Sequence, residues 1–238
     1  MDKDSVHLWC IKAQRYIFAY TLYTVAEATL CGVQSVSFPA FFDAVPRFKV
    51  RDPLAEFLGA AEGGVLEYAY ADVVKLAGHS CPTVAAAYVL GCRALVALYP
   101  DSIPERGGMR VELADAVGQG VTGVTASVLT LLTGAMGEAG FKGVGGRFVR
   151  RGLLDFGSEN TPSMRITRLD SGAAVDVDSD LSHVPGHPDL PELFSRCLRG
   201  EADAAQLRRF GELWQQRVQR ILLEHWDDDA VFSVRAVA

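Results

Sequence analysis

The chain has 238 residues, 49% of them hydrophobic and 22% charged, which is long enough for a sizeable core and too apolar for disorder. Its formal net charge of −6 and scattered arginines exclude a nucleic-acid surface, which needs Lys and Arg clustered against phosphate. The five cysteines (Cys10, Cys31, Cys81, Cys92, Cys197) are odd in number and form no Cys-x-x-Cys pair. Neither a disulfide framework nor a zinc ribbon is expected, and the thiols read as reduced in a cytoplasmic protein.

In chain order, the first feature is the apolar run from Tyr16 to Val33, interrupted by Glu27. Lys3, Lys12 and Arg15 precede it in the manner of a signal peptide, but no clear small-residue cleavage site follows. The run is too broken for a membrane span and reads as a packed helix or an upstream extension. Residues 1–37 are therefore expected to be an N-terminal helical segment or extension, and residues 38–238 the domain. Phe38 to Pro46 reads as an irregular aromatic connection. Asp52-Pro53 fits a helix start, Gly63-Gly64 a stop, and Val65 to Tyr70 a short strand.

Asp72 to Leu76 reads as a helical turn running into Gly78. From Cys81 to Tyr99 the residues are apolar nearly all round, with one charge at Arg93, which marks a buried helix. Pro82 suits its first position and makes Cys81 the N-cap. Met109 to Leu113 is expected to be a strand, Val121 to Met136 a second buried helix, and Arg147 to Phe156 to contain another strand. The triplet Arg147, Arg150, Arg151 reads as a solvated strand edge or an anion contact. Met164–Leu169 and Ala173–Val177 flank Asp170-Ser171-Gly172, a hairpin signal. Two polar-faced helices, about Pro191–Leu198 and Ala202–Trp226, and a strand at Val231–Val237 complete the order. The expected class is α+β, a mixed β-sheet packed against two buried apolar helices, with extra C-terminal helices over residues 189–238. Alternation is too irregular for a doubly wound nucleotide fold.

The chemistry concentrates at Gly78-His79-Ser80-Cys81-Pro82. A thiol at a helix N-terminus faces unpaired backbone N–H groups and the positive end of the helix dipole, the setting of a reactive or metal-ligating sulfur. His79, two residues earlier on an extended approach, projects to the same side. The pair suits two ligands of a transition metal, zinc first, or a thiolate with an adjacent base. It suits equally a small core cysteine beside a histidine bonded to a carbonyl.

These residues resemble the FmdE family, named for a component of formylmethanofuran dehydrogenase, whose motif has the form His-Gly-His-x-Cys-Pro-Gly. Here Ala77-Gly78-His79-Ser80-Cys81-Pro82-Thr83 keeps the second His, the Cys and the Pro, and lacks the first His and the last Gly. The family's second motif, Cys-x-x-Asp-Ala-Ile-Gln leading to Thr-Gly-Cys-Thr, has a fainter counterpart. It spans Glu112-Leu113-Ala114-Asp115-Ala116-Val117 and Thr122-Gly123-Val124-Thr125, with both cysteines gone. The resemblance covers residues 65–177 and implies an α+β fold with a metal site on His79 and Cys81. Asp115 and Glu112, on the family's Asp and Cys positions, are the expected further ligands. Glu67, Tyr68, Tyr70 and Asp72 are candidates to line the pocket. His183 and His187 are spaced as a metal pair but separated by Pro185-Gly186, which no regular helix accommodates.

The expected function is an FmdE-like metal-binding protein with a small-molecule or metal site at this motif. Two alternatives stand beside it: a zinc- or cysteine-dependent enzyme using Cys81 and His79, and a non-catalytic component of a larger redox assembly. Neither nucleic acid nor membrane is an expected partner. The stripe Phe210, Leu213, Trp214, Val218, Ile221, Leu222 raises the expectation of a homodimer.

Overall fold

The computed structural model describes residues 37–159 and 161–237; the expected helix over residues 1–37 lies outside them but for its last residue. A short 3-10 turn, Ala40–Ala44, leads into β1 (Phe48–Arg51). Strand β1 pairs antiparallel with β2 (Val65–Tyr68), register Phe48 opposite Tyr68. Sequence reading misses β1 because so short a strand carries too little alternation. Between these strands, α1 (Pro53–Phe57) starts as expected, with the Asp52 side chain accepting from the Leu54 and Ala55 amides. It ends well before Gly63, which belongs to a separate tight turn.

Helix α2 (Tyr70–Ala77) is longer than the turn expected, and α3 (Pro82–Leu98) is buried on nearly every side. Val84, Ala85, Tyr88, Val89, Ala94 and Leu95 are fully enclosed. Strand β3 (Met109–Leu113) and helix α4 (Thr122–Thr133) follow, then β4 (Leu154–Phe156), β5 (Met164–Arg168) and β6 (Ala174–Ser179). Helices α5 (Leu190–Leu198) and α6 (Ala204–Gln219) precede the edge strand β7 (Phe232–Ala236). A wider π-type turn, Arg220–Glu224, continues α6.

Strands β3 to β7 form one sheet in the order β4-β3-β5-β6-β7. Only β3 and β4 run parallel, because α4 crosses over between them; the other neighbours are antiparallel. The class is α+β. One face of the sheet is apolar through Met109, Val111, Leu113, Met164, Ile166, Val175 and Val177, all essentially buried. Helix α3 packs on β6 and β7, α4 on β3, and the two helices on each other. The opposite face carries a row of charge in register: Asp155, Glu112, Arg165, Asp176 and Arg235. Arg165 grips Asp176 in two bonds of 2.7 and 2.9 Å.

One expectation needs correction. Arg150 is no solvated edge residue: it is buried and donates to Asp52 at 2.7 Å, beside a 2.6 Å bond from Arg106 to the same carboxylate. The apolar stripe of α6 is largely used within the chain, since Leu213, Val218, Ile221 and Leu222 are buried. Among the described residues no helix is long and apolar enough to cross a membrane.

Candidate functional site

Helix α2 ends at Gly78, whose φ of 75° is the left-handed cap that lets the chain turn at once toward α3. Cys81 is then extended (φ −148°, ψ 168°), and its Sγ accepts the Val84 amide at 3.5 Å, the N-cap role expected of it. His79 is exposed, and its Nδ1 lies 2.9 Å from the Ala77 carbonyl oxygen. A carbonyl can only accept, so Nδ1 carries a proton, and in the neutral ring Nε2 presents the lone pair.

Between them Ser80 is held from three directions. Its carbonyl accepts from Trp214 Nε1 at 3.0 Å and Gln215 Nε2 at 3.1 Å, both on α6. Its hydroxyl donates to Gln215 Oε1 at 3.0 Å, which leaves Tyr70 as donor in the 3.0 Å contact between Tyr70 OH and Ser80 Oγ. Burial pushes the Tyr70 phenol well above its usual range, so it remains a donor at every ordinary pH. Trp214 stacks on Phe194 of α5, so the loop is tied to the C-terminal helical pair.

Beside the first turn of α3 lies a recess of about 210 Å³. Ala86, Ala87, Leu90, Leu113 and Met164 give it apolar walls. Its polar lining is Thr83, Asp115, Thr122, Thr125, Ser163, Asp178 and Ser179. Among the described residues no hydrogen bond engages the side chains of Thr83, Asp115, Thr122, Thr125, Ser163 or Ser179. Asp178 accepts only the neighbouring Ser179 amide, at 2.8 Å. Leu181 closes one side, and Arg217 of α6 donates to its carbonyl at 3.2 Å and to that of Val184 at 2.7 Å. Helix α6 thus fixes both the Ser80 loop and the Leu181 wall.

The structure divides the expected ligands. Asp115 lines the recess together with Thr83, two residues beyond Cys81, whereas His79 lines a neighbouring, more open one with Leu76, Val117 and Gly120. Glu112 sits on the opposite, charged face of the sheet, where Ser158 Oγ donates to it at 3.4 Å; strand alternation puts Leu113, not Glu112, toward α3. Among the described residues no three His, Cys, Asp or Glu side chains converge to hold a metal ion. Zinc takes three protein ligands in catalytic sites and four in structural ones, so His79, Cys81, Asp115 and Glu112 do not together fit a resident zinc.

Of the residues before the motif, only Tyr70 reaches the loop; Glu67 pairs with Arg47 and Lys49, and Asp72 with the Ala69 amide and Lys75. Tyr68 lies under the Arg106 guanidinium. His183 and His187 each lie near a separate aspartate, Asp180 and Asp189. Cys92 is core, and burial pushes its thiol up. Sequence reading missed Ser163, Asp178 and Ser179, ordinary strand-end residues gathered only by the sheet register. Thr122 and Thr125 did fall inside the fainter second motif. Compared with family models and with curated proteins, the chain matches none.

Proposed function

We propose that this chain is an FmdE-like protein that binds a small polar molecule in the recess beside the Gly-His-x-Cys-Pro loop. One observation carries the reading: five hydroxyls and a carboxylate, all without protein partners among the described residues, line a single recess with apolar walls. Asp115 is solvent-exposed and the hydroxyls are partly to largely covered, and convergent polar groups on an apolar floor are how small-molecule sites are built. Ala86 tests it, because a leucine there would fill the recess from the α3 side. Saturation-transfer NMR against a library of small polar molecules should give binders for the wild type that the Ala86→Leu protein, still folded, no longer holds. Binders that persist in that variant, or a library without a single binder, would sink the reading.

A second reading concerns the loop itself, and the His79 tautomer favours it. A histidine that donates Nδ1–H to a backbone carbonyl presents Nε2 in the form that metal ligands and general bases use. In this reading His79 and Cys81 are two ligands of a divalent transition metal whose remaining positions come from a bound molecule or a partner. The cysteine-dependent enzyme is its variant, with Cys81 as nucleophile and His79 as base. Metal analysis after zinc exposure and desalting should find zinc on the wild type and none on Cys81→Ala. Equal metal content in the two proteins would refute it.

A further inference from the structure

We infer that the ligand of the α3–α4 recess is a compact amino alcohol, an amine-bearing, hydroxylated molecule that enters as a cation. The inference rests on the ligand reading above and adds the charge and class of what binds. Among the described residues no Lys, Arg or His lines the recess, whereas Asp115 and Asp178, both solvent-exposed, do, and neither joins an ion pair. The opposing field is that of the helix N-termini, since Thr83 and Thr122 stand in the first turns of α3 and α4. Each terminus amounts to about half a positive charge, so two full carboxylates outweigh both. An anion would meet two carboxylates with no counter-charge among the described residues, and a neutral polyol would leave them matched by water alone.

A pair of aspartates alone would define nothing, but the recess contains a second and independent signal. Thr122 is only 7% exposed, its hydroxyl has no partner among the described residues, and it lines the same recess. The residue is nearly enclosed while its hydroxyl is not sealed off, so whatever occupies the recess, water or ligand, completes that hydroxyl's hydrogen bonding. Thr83, Thr125, Ser163 and Ser179 extend the same chemistry around the walls, so hydroxyls on the ligand find both donors and acceptors. Ala86, Ala87, Leu90 and Met164 face its carbon skeleton. The recess measures about 210 Å³, which suits a small skeleton.

Three probes of one skeleton separate the possibilities: 2-amino-1,3-propanediol, glycerol and glycerate, titrated into the full chain and followed by backbone amide NMR. The amine should shift the amides around Thr83, Asp115, Thr122 and Ser179 and bind about five- to tenfold more tightly than glycerol, the margin of a charge-assisted bond over a neutral one. Glycerate should bind most weakly. Asp115→Asn and Asp178→Asn should each shrink the margin while leaving the melting temperature near wild type. Glycerol or glycerate binding in the recess as tightly as the amine would overturn the amine assignment yet leave the recess a ligand site. If none of the three moves these amides, the amine assignment and the ligand reading both fall.

Discussion

Asp52 joins three parts of the chain through one carboxylate: it caps α1, and it receives Arg106 and Arg150. Among the described residues Arg150 Nη1 is buried without a partner and Asp52 holds that guanidinium almost alone. Burial by itself would raise the Asp52 pKa; the hydrogen bond from Arg106 and the charges of Arg150 and Arg106 outweigh it, and the pKa ends below its ordinary value. Asp52 therefore contributes its full stabilisation above the unfolded-state value of about 3.9 and loses it as pH falls through the lower folded value. Replacing it strands two cations in the interior, so Asp52→Ala should cost about 3–5 kcal/mol in urea unfolding at neutral pH. Below about pH 4 the gap between the two proteins should narrow, because the wild-type carboxyl protonates too. An undiminished gap in acid would show that the carboxylate charge is not what matters.

At the scale of elements, α6 reaches back to the motif loop through Trp214 and Gln215. The variant Gln215→Ala removes two of the bonds on Ser80, at a cost of about 1 kcal/mol each. Hydrogen exchange at the amides of residues 78–81 should accelerate in that variant, with α3 itself still protected. Unchanged exchange there would mean that Trp214 and Tyr70 suffice. These ties also explain what the sequence could and could not disclose. Pro82, Cys81 and the all-apolar face of α3 announce that helix locally, and β3 is legible from Met109 to Leu113 by its alternation. Glu112 misled because a motif alignment carries no information about which side of a strand a residue takes, although strand alternation does. Gln215 stands 135 residues from Ser80, and nothing local marks such a partner. The recess is of the same kind: Asp178 and Thr83 are neighbours only because β6 packs against α3.

For the molecule as a whole, the sheet is covered on one face and charged on the other, and the two faces should respond differently to mutation. Ile166→Ala, fully buried against the helices, should cost about 2–5 kcal/mol by the usual cost of a buried cavity. Arg165→Ala, its chain neighbour on the charged face, should cost less, about 1–2 kcal/mol, because it breaks a partly covered pair with Asp176 and opens no apolar cavity. Urea midpoints for the two variants would settle it, and equal losses would imply that something covers the charged face. The anchoring of α6 has a further meaning in the time course of folding. Its bonds close loops of 134 and 135 residues to Ser80, and closing a loop that long must precede any reward from the contact. The recess wall at Leu181 hangs on Arg217 of the same helix. The recess should therefore be the part of this protein that matures late: a chain whose α3, α4 and central strands have already collapsed still lacks its Leu181 side until α6 docks. A ligand present during refolding should accordingly speed no early phase and bind only to the species formed in the last one.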